Sequence, residues 1–175
     1  MVTNYAKKKD KPLYCRVPSK KEEAAMTYTI AVYGTLREGF WNYESFLLPH
    51  LQNARAKFVL KTKVPNFKLY LQKWPLIYPT DVYTDSVVVE IYKVTPEVFE
   101  NIKSMEENFK GSPYKASMLE IQDIGWACTW VMSKQAYLQK NPKAIPPKYK
   151  GDFYEFYKSS TEAQYRAFSQ KGSIP

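Results

Sequence analysis

The most continuous apolar run in the chain is DSVVVEIYKV (Asp85–Val94), hydrophobic through its centre, and it predicts a buried strand. Tyr28–Tyr33 is a second strand-like stretch, but it runs into Gly34, Thr35 and Leu36 and later Gly39 instead of a tight hairpin turn. ARAKFVLKTKV alternates apolar and polar positions as a half-buried strand does, FKLYL repeats the signal, and YKASMLEI and WACTWVM read as two further strands. KWPLIYP is punctuated by two prolines, so it reads as a loop or a sheet edge. A helical period takes over in PEVFENIKSMEEN, with Thr95 as N-cap, Pro96 at the first helical position and an end near Asn108. Shorter helical patterns lie around Tyr43–Leu51, in KKEEAAM and in TEAQYRAFSQ, while Pro142, Pro146 and Pro147 predict a rigid loop before KGDFYEFY. These elements describe an α+β domain, rich in strands, with one central helix between them.

Geometry separates the two glutamates at the end of the central helix. Advancing about 100° per residue from Val98, the residues Ile102, Met105 and Phe99 fall at roughly 40°, −20° and 100°, one apolar face. Glu106 falls at roughly 80°, between Ile102 and Phe99, whereas Glu107 falls near roughly 180°, on the solvent side. An inward carboxylate costs free energy unless it finds partners or takes up a proton. Desolvation raises its pKa toward neutrality, where it can exchange protons with a substrate. The alternative is a rim position, with Glu106 reaching solvent or pairing with Lys103 or Lys110.

The loop after the first strand admits a similar pair of readings. Glycine allows another group to approach the backbone closely, so Gly34-Thr35-Leu36 can leave several N–H groups pointing one way, a nest for an anion or a polarised carbonyl. An ordinary strand-to-loop turn is the plainer alternative. No Gly-Lys-Ser/Thr follows, which excludes a P-loop, and Gly34 and Gly39 do not complete a dinucleotide fingerprint.

Composition narrows the class. The chain has 175 residues, 45% hydrophobic and 16% aromatic, enough for one domain with a core. No apolar run is long enough to cross a bilayer, and the lysine-bearing N-terminus lacks the apolar segment of a secretory signal, so a soluble, cytoplasmic protein is expected. Residues 1–26 read as a basic, poorly ordered arm, 27–158 as the domain and 159–175 as a C-terminal helix or tail. The two cysteines, Cys15 and Cys128, sit in unlike surroundings, which argues against a disulfide. With His50 the lone histidine and no Cys-x-x-Cys, no metal site is expected; His50 itself reads as a helix-end or surface residue. The net charge of +9 allows an anionic partner such as nucleic acid, although the lysines are scattered, as on a solvated surface.

Taken in order, these segments resemble the γ-glutamylcyclotransferase-like family, in particular its branch acting on γ-glutamylamines. VYGTLREGFWN is similar to the family's Tyr-Gly-Ser/Thr-Leu opening followed by Arg, Gly and Asn, and WPLIYP to its proline-bracketed loop. VVVEIYKV resembles the strand Val-x-Gly-Glu-Val-Tyr, NIKSMEENFKGSPY the Leu-Asp-x-x-Glu helix end leading to a tyrosine, and WACTWVM and KGDFYEF the later elements. The likeness covers roughly residues 28 to 157. It implies a small mixed β-barrel with flanking helices and no metal or cofactor. It also implies release of 5-oxoproline from a γ-glutamyl amine or peptide, with Glu106 as the catalytic acid/base. Tyr33, Gly34, Thr35, Leu36 and Tyr114 would form the substrate pocket. Lys103 departs from the family's aspartate, Val89 from its strand glycine, Ala116 from its arginine and Phe153 from its tryptophan. A non-catalytic protein on the same scaffold, holding an anionic small ligand, a protein or nucleic acid, is the second reading.

Overall fold

A strand buried on both faces belongs in the middle of a sheet, and Tyr28–Val32 (β1) takes that place in the computed structural model, which describes residues 17–161 and Gln164. Its neighbours are Ser86–Val94 (β5), antiparallel from Tyr28↔Val94 to Val32↔Glu90, and Gly125–Met132 (β7), parallel through Ile30↔Cys128. Ala56–Pro65 (β2) pairs with β5 outside, and Tyr114–Ile121 (β6) with β7, so the order is β2-β5-β1-β7-β6. Phe67–Leu71 (β3) lies between Pro75–Pro79 (β4) and the two-residue Lys143–Ala144 (β8) in a second sheet. That sheet packs across the first, β3 against β5 and β4 against β7. The expected α+β architecture of mixed strands and flanking helices is therefore present, with two packed sheets rather than one closed cylinder.

Alternation along β1 divides the core in two. Ala31 joins Val87, Val89, Ile91, Leu71 and Phe153 beneath the second sheet. Ile30 and Val32 face the helices with Tyr92, Leu47, Val98, Ile102 and Trp130. The helices are Lys20–Ala25 (α1), Trp41–Phe46 (α2), Leu48–Gln52 (α3), Pro96–Glu107 (α4), Lys134–Lys140 (α5) and Phe153–Ser159 (α6).

Some expectations hold and others change. Within the stretch read as an arm, the helical pattern in KKEEAAM forms α1, which a capping box between Ser19 and Glu22 starts, and Glu23 pairs with Lys57. The proline-bracketed stretch, read as a loop or a sheet edge, is the edge strand β4, with Pro75 and Pro79 at its two ends, where missing N–H groups cost least. The region read as a rigid proline loop holds β8 and a 3-10 turn at Pro147–Tyr149, and just before it lies α5, a helix the sequence reading did not assign. A cap by Ser133 on Ala136 starts α5, whose short sequence buries too little to show a period. The helix read in TEAQYRAFSQ lies, apart from Thr161 and Gln164, outside the described residues, as do Lys7–Lys9 and Cys15. Cys128 is a buried free thiol. No helix among the described residues is long and apolar enough to cross a membrane.

Candidate active site

Beyond Val32 the chain leaves the central strand and is pinned at once. Tyr33 is buried, and its hydroxyl donates to the carbonyl of Trp130 at 2.6 Å. At Gly34 a Cβ would stand 2.6 Å from Cγ of Pro75, so only glycine lets β4 close over this point. The Thr35 carbonyl accepts from the Tyr43 amide at 3.1 Å, and its hydroxyl accepts from the Asn42 amide group at 2.7 Å. Among the described residues, no acceptor takes the backbone N–H of Gly34, Thr35 or Leu36.

A buried ion cluster holds this loop from behind. Arg37, 3% exposed, donates from Nε to Glu90 at 3.3 Å and from Nη1 to Asp152 at 2.7 Å. Glu90 also accepts from the Glu38 amide at 3.0 Å and the Tyr92 hydroxyl at 2.8 Å. Burial, then the charge of Glu90, pushes the Tyr92 hydroxyl far above its ordinary pKa, so it remains a donor. Asp152 caps α6 through the Tyr154 and Glu155 amides. Loop, β5 and α6 are joined through one guanidinium.

The central helix brings Glu106 to the same place. Val98 and Ile102 are buried as the wheel predicts, and the helix stops where the Ser112 hydroxyl donates to the Glu106 carbonyl at 2.6 Å. Glu106 keeps some exposure, yet among the described residues it makes no ion pair, with Lys103, Lys110 or any other cation. Burial of the carboxyl, and secondarily the neighbouring charge of Glu107, pushes its pKa up to about 7. Burial, then Glu106, likewise raises Tyr33 well above the ordinary tyrosine value.

Glu107 departs from its solvent-side expectation. It is half-buried and accepts the indole N–H of Trp130 at 3.1 Å. The wheel treats every direction away from the core as water, but β7 rises beside the last turn of α4, and a buried indole needs an acceptor.

Glu106, Tyr33, Gly34, Thr35, Leu36 and Tyr114 all line one pocket, together with Pro75, Thr129 and Trp130 and with Ala31 and Val32 of β1. Its empty space is about 310 Å³ out to the open mouth. Tyr114 closes one side, its hydroxyl donating to the Pro75 carbonyl at 2.7 Å. Sequence reasoning missed Pro75 and Trp130 as site residues; each stood in a noted segment, WPLIYP and WACTWVM, without a sign that it faced Glu106. His50 lies in the last turn of α3 and is not among the lining residues; burial, then Arg55, lowers its pKa. Among the described residues no cluster of His, Cys, Asp and Glu could hold a metal ion.

The raised pKa of Glu106 has a consequence for stability. Folded protein keeps this proton up to about pH 7, whereas an unfolded chain releases it near 4.5. Stability is thus undiminished below the lower value, falls as pH rises between the two, and stays reduced above the upper. At 1.36 kcal/mol per unit, and allowing for partial exposure, the loss is about 1 to 3 kcal/mol. Denaturant unfolding at pH 5 and pH 8 should show Glu106→Gln gaining that much on the wild type at the higher pH. An equal difference between the two proteins at both values would contradict the burial.

Comparison with known proteins supplies a family. A family model described as gamma-glutamyl cyclotransferase, AIG2-like, matches residues 30–155. A Methanocaldococcus jannaschii protein whose name makes it a candidate γ-glutamylcyclotransferase is 32% identical over 78 residues, 44% of this chain and 59% of that one. The match thus spans less than two thirds of that relative's length. The crystal structure of an uncharacterised Pyrococcus horikoshii protein superposes with a TM-score of 0.55 at 29% identity, covering 75% of this chain and 93% of the other. Kluyveromyces lactis allophanate hydrolase shares the fold alone, with a TM-score of 0.60 at 22% identity over 81% of this chain and 22% of its own.

Proposed function

Since the chain belongs to the gamma-glutamyl cyclotransferase, AIG2-like family, whose model matches residues 30–155, we propose that it releases 5-oxoproline and a free amine from a γ-glutamyl amine or peptide. The observation that carries this reading is the unpaired, desolvated Glu106 carboxyl facing the loop Gly34–Leu36 across a small pocket.

The reaction is an intramolecular aminolysis. The α-amino nitrogen of the γ-glutamyl group attacks its own γ-carbonyl, a C–N bond forms within the ring, and the C–N bond to the leaving amine breaks. An ammonium has no lone pair to attack with, so Glu106 takes its proton and passes it to the departing nitrogen, work worth about 10²–10⁴ in rate. A carboxyl pKa of about 7 suits both halves of that task near neutrality. Substrate carboxylate or developing oxyanion is held by the amides of Gly34, Thr35 and Leu36. Tyr33 and Tyr114, whose hydroxyls already donate to the carbonyls of Trp130 and Pro75, shape the walls rather than exchange protons. Because nucleophile and electrophile belong to one molecule, the pocket mainly folds the substrate into a near-attack shape. None of these steps calls on a metal or organic cofactor.

The test is a panel of γ-glutamyl amines, γ-glutamyl dipeptides and γ-glutamyl-ε-lysine, with 5-oxoproline as the readout. A positive substrate should show kcat/KM falling about tenfold per pH unit below pH 7, as the base becomes protonated. No 5-oxoproline from any member would sink the reading and leave a binding role on this scaffold, which the departures at Lys103 and Ala116 would then suit.

A further inference from the structure

We propose that Glu107 is a positioning residue which keeps a fixed negative charge beside the Glu106 carboxyl, held there by the indole N–H of Trp130. The inference rests on Glu106 as the proton-transfer group, and it concerns how that group is tuned.

Adjacent residues on a helix point about 100° apart, so a glutamate following an inward one ordinarily extends into water, where solvent screens its charge. Here the side chain of Glu107 is drawn back. Its Oε1 accepts from Trp130 Nε1 at 3.1 Å, and Trp130 is only 2% exposed and lines the same pocket as Glu106. The Trp130 ring also meets the ring of Phe99, in the first turn of α4, with centroids 6.0 Å apart. Through its carbonyl Trp130 also receives the Tyr33 hydroxyl at 2.6 Å. One residue of β7 thus fixes both a pocket wall and the second carboxylate.

The chemistry of the donor matters. A lysine or arginine in that position would hold Glu107 equally well but would cancel its charge at Glu106. An indole N–H is a neutral donor, so it orders the carboxylate and leaves the charge in place. The ionisable groups around the two carboxylates are Tyr33 at the end of β1, Tyr114 on β6, Cys128 on β7 and Lys103 on α4. Of these, Lys103 carries a positive charge, and its influence is seen on Cys128, where it opposes the larger effects of burial and Glu107. Burial is the first cause of the weakened acidity of Glu106 and the Glu107 charge the second. A stronger base is obtained this way, at the cost of a higher pH for its ionisation.

Glu107→Gln is the discriminating variant, because the amide oxygen still accepts from Trp130 while the charge is gone. Titration of the Glu106 side-chain carboxyl by carbon NMR, assigned with Glu106→Gln, should move down by roughly 0.5 to 1 pH unit in Glu107→Gln. The acidic limb of kcat/KM on a positive substrate should move by the same amount, with Trp130 fluorescence unchanged. A merely structural role would alter thermal stability or KM and leave both midpoints alone. An unmoved carboxyl titration overturns the inference whatever the activity. A shifted titration without turnover on any γ-glutamyl compound upholds the inference and sinks the cyclotransferase reading instead. Should Glu107→Gln fail to fold, Trp130→Phe serves as the second variant: it removes the donor, frees the Glu107 charge into solvent, and should lower the Glu106 midpoint in the same direction; no lowering overturns the inference.

Discussion

Glu106→Gln is expected to lower turnover of any γ-glutamyl substrate by at least about 10²-fold, with KM changed little. Glutamine fills the same volume and leaves the backbone of α4 intact, including the bond from the Ser112 hydroxyl to the carbonyl of residue 106. It cannot accept the proton of an α-ammonium. The pocket offers no ready substitute, since both tyrosine hydroxyls on its walls are engaged with backbone carbonyls and Tyr33 is pushed further from ionisation by its burial and by Glu106. Steady-state release of 5-oxoproline by the two proteins at pH 8 is the measurement. Turnover within a few-fold of wild type would remove Glu106 from the reaction. The variant should also be the more stable protein at that pH, so loss of activity would not be confused with loss of fold.

The second large effect concerns the ion cluster behind the loop. Arg37→Met should destabilise the protein by about 3 to 5 kcal/mol, because Glu90 is left as a buried charge without its counter-ion. Asp152 is less deeply buried and keeps its contacts to the N-terminus of α6, so the cost falls mainly on β5. Urea unfolding measures it, and a loss under about 1 kcal/mol would mean that Glu90 finds water instead. Adding Glu90→Gln to Arg37→Met should recover part of the loss, since the orphaned charge is then removed. Activity should fall in Arg37→Met even where the protein remains folded, because the amides of Gly34–Leu36 owe their placement to the turn that Arg37 anchors through its side chain and through its own amide, 3.0 Å from the Gly34 carbonyl.

Local pattern was a good guide wherever one side of an element decides its fate. The apolar run of β5, the alternation of β2 and the capped, amphipathic α4 are each legible in a window of ten to a dozen residues, since burial on one face imposes a period of two or 3.6. Glu106 was legible for the same reason: its angle on the helix depends only on its distance along the chain from Val98 and Ile102. The opening at Gly34 was visible as a strand with an odd ending, though its sequence alone fitted an ordinary turn equally well.

Short elements were less legible. α5 exposes most of its surface, and β8 has two residues, so neither buries enough to leave a period. Pairings between distant residues left no trace at all. That Arg37 meets Glu90 and Asp152, that Pro75 excludes a side chain at Gly34, and that Trp130 captures Glu107 each join segments far apart in the chain. The inward carboxylate, the opened loop and the presence of the main strands are properties of the chain read along its length, because propensity and periodicity act between near neighbours. Whether that carboxylate met a lysine, open solvent or a pocket was decided only by packing. Desolvation and charge depend on everything within a few ångström, and those neighbours come from β1, β4, β6 and β7 at once.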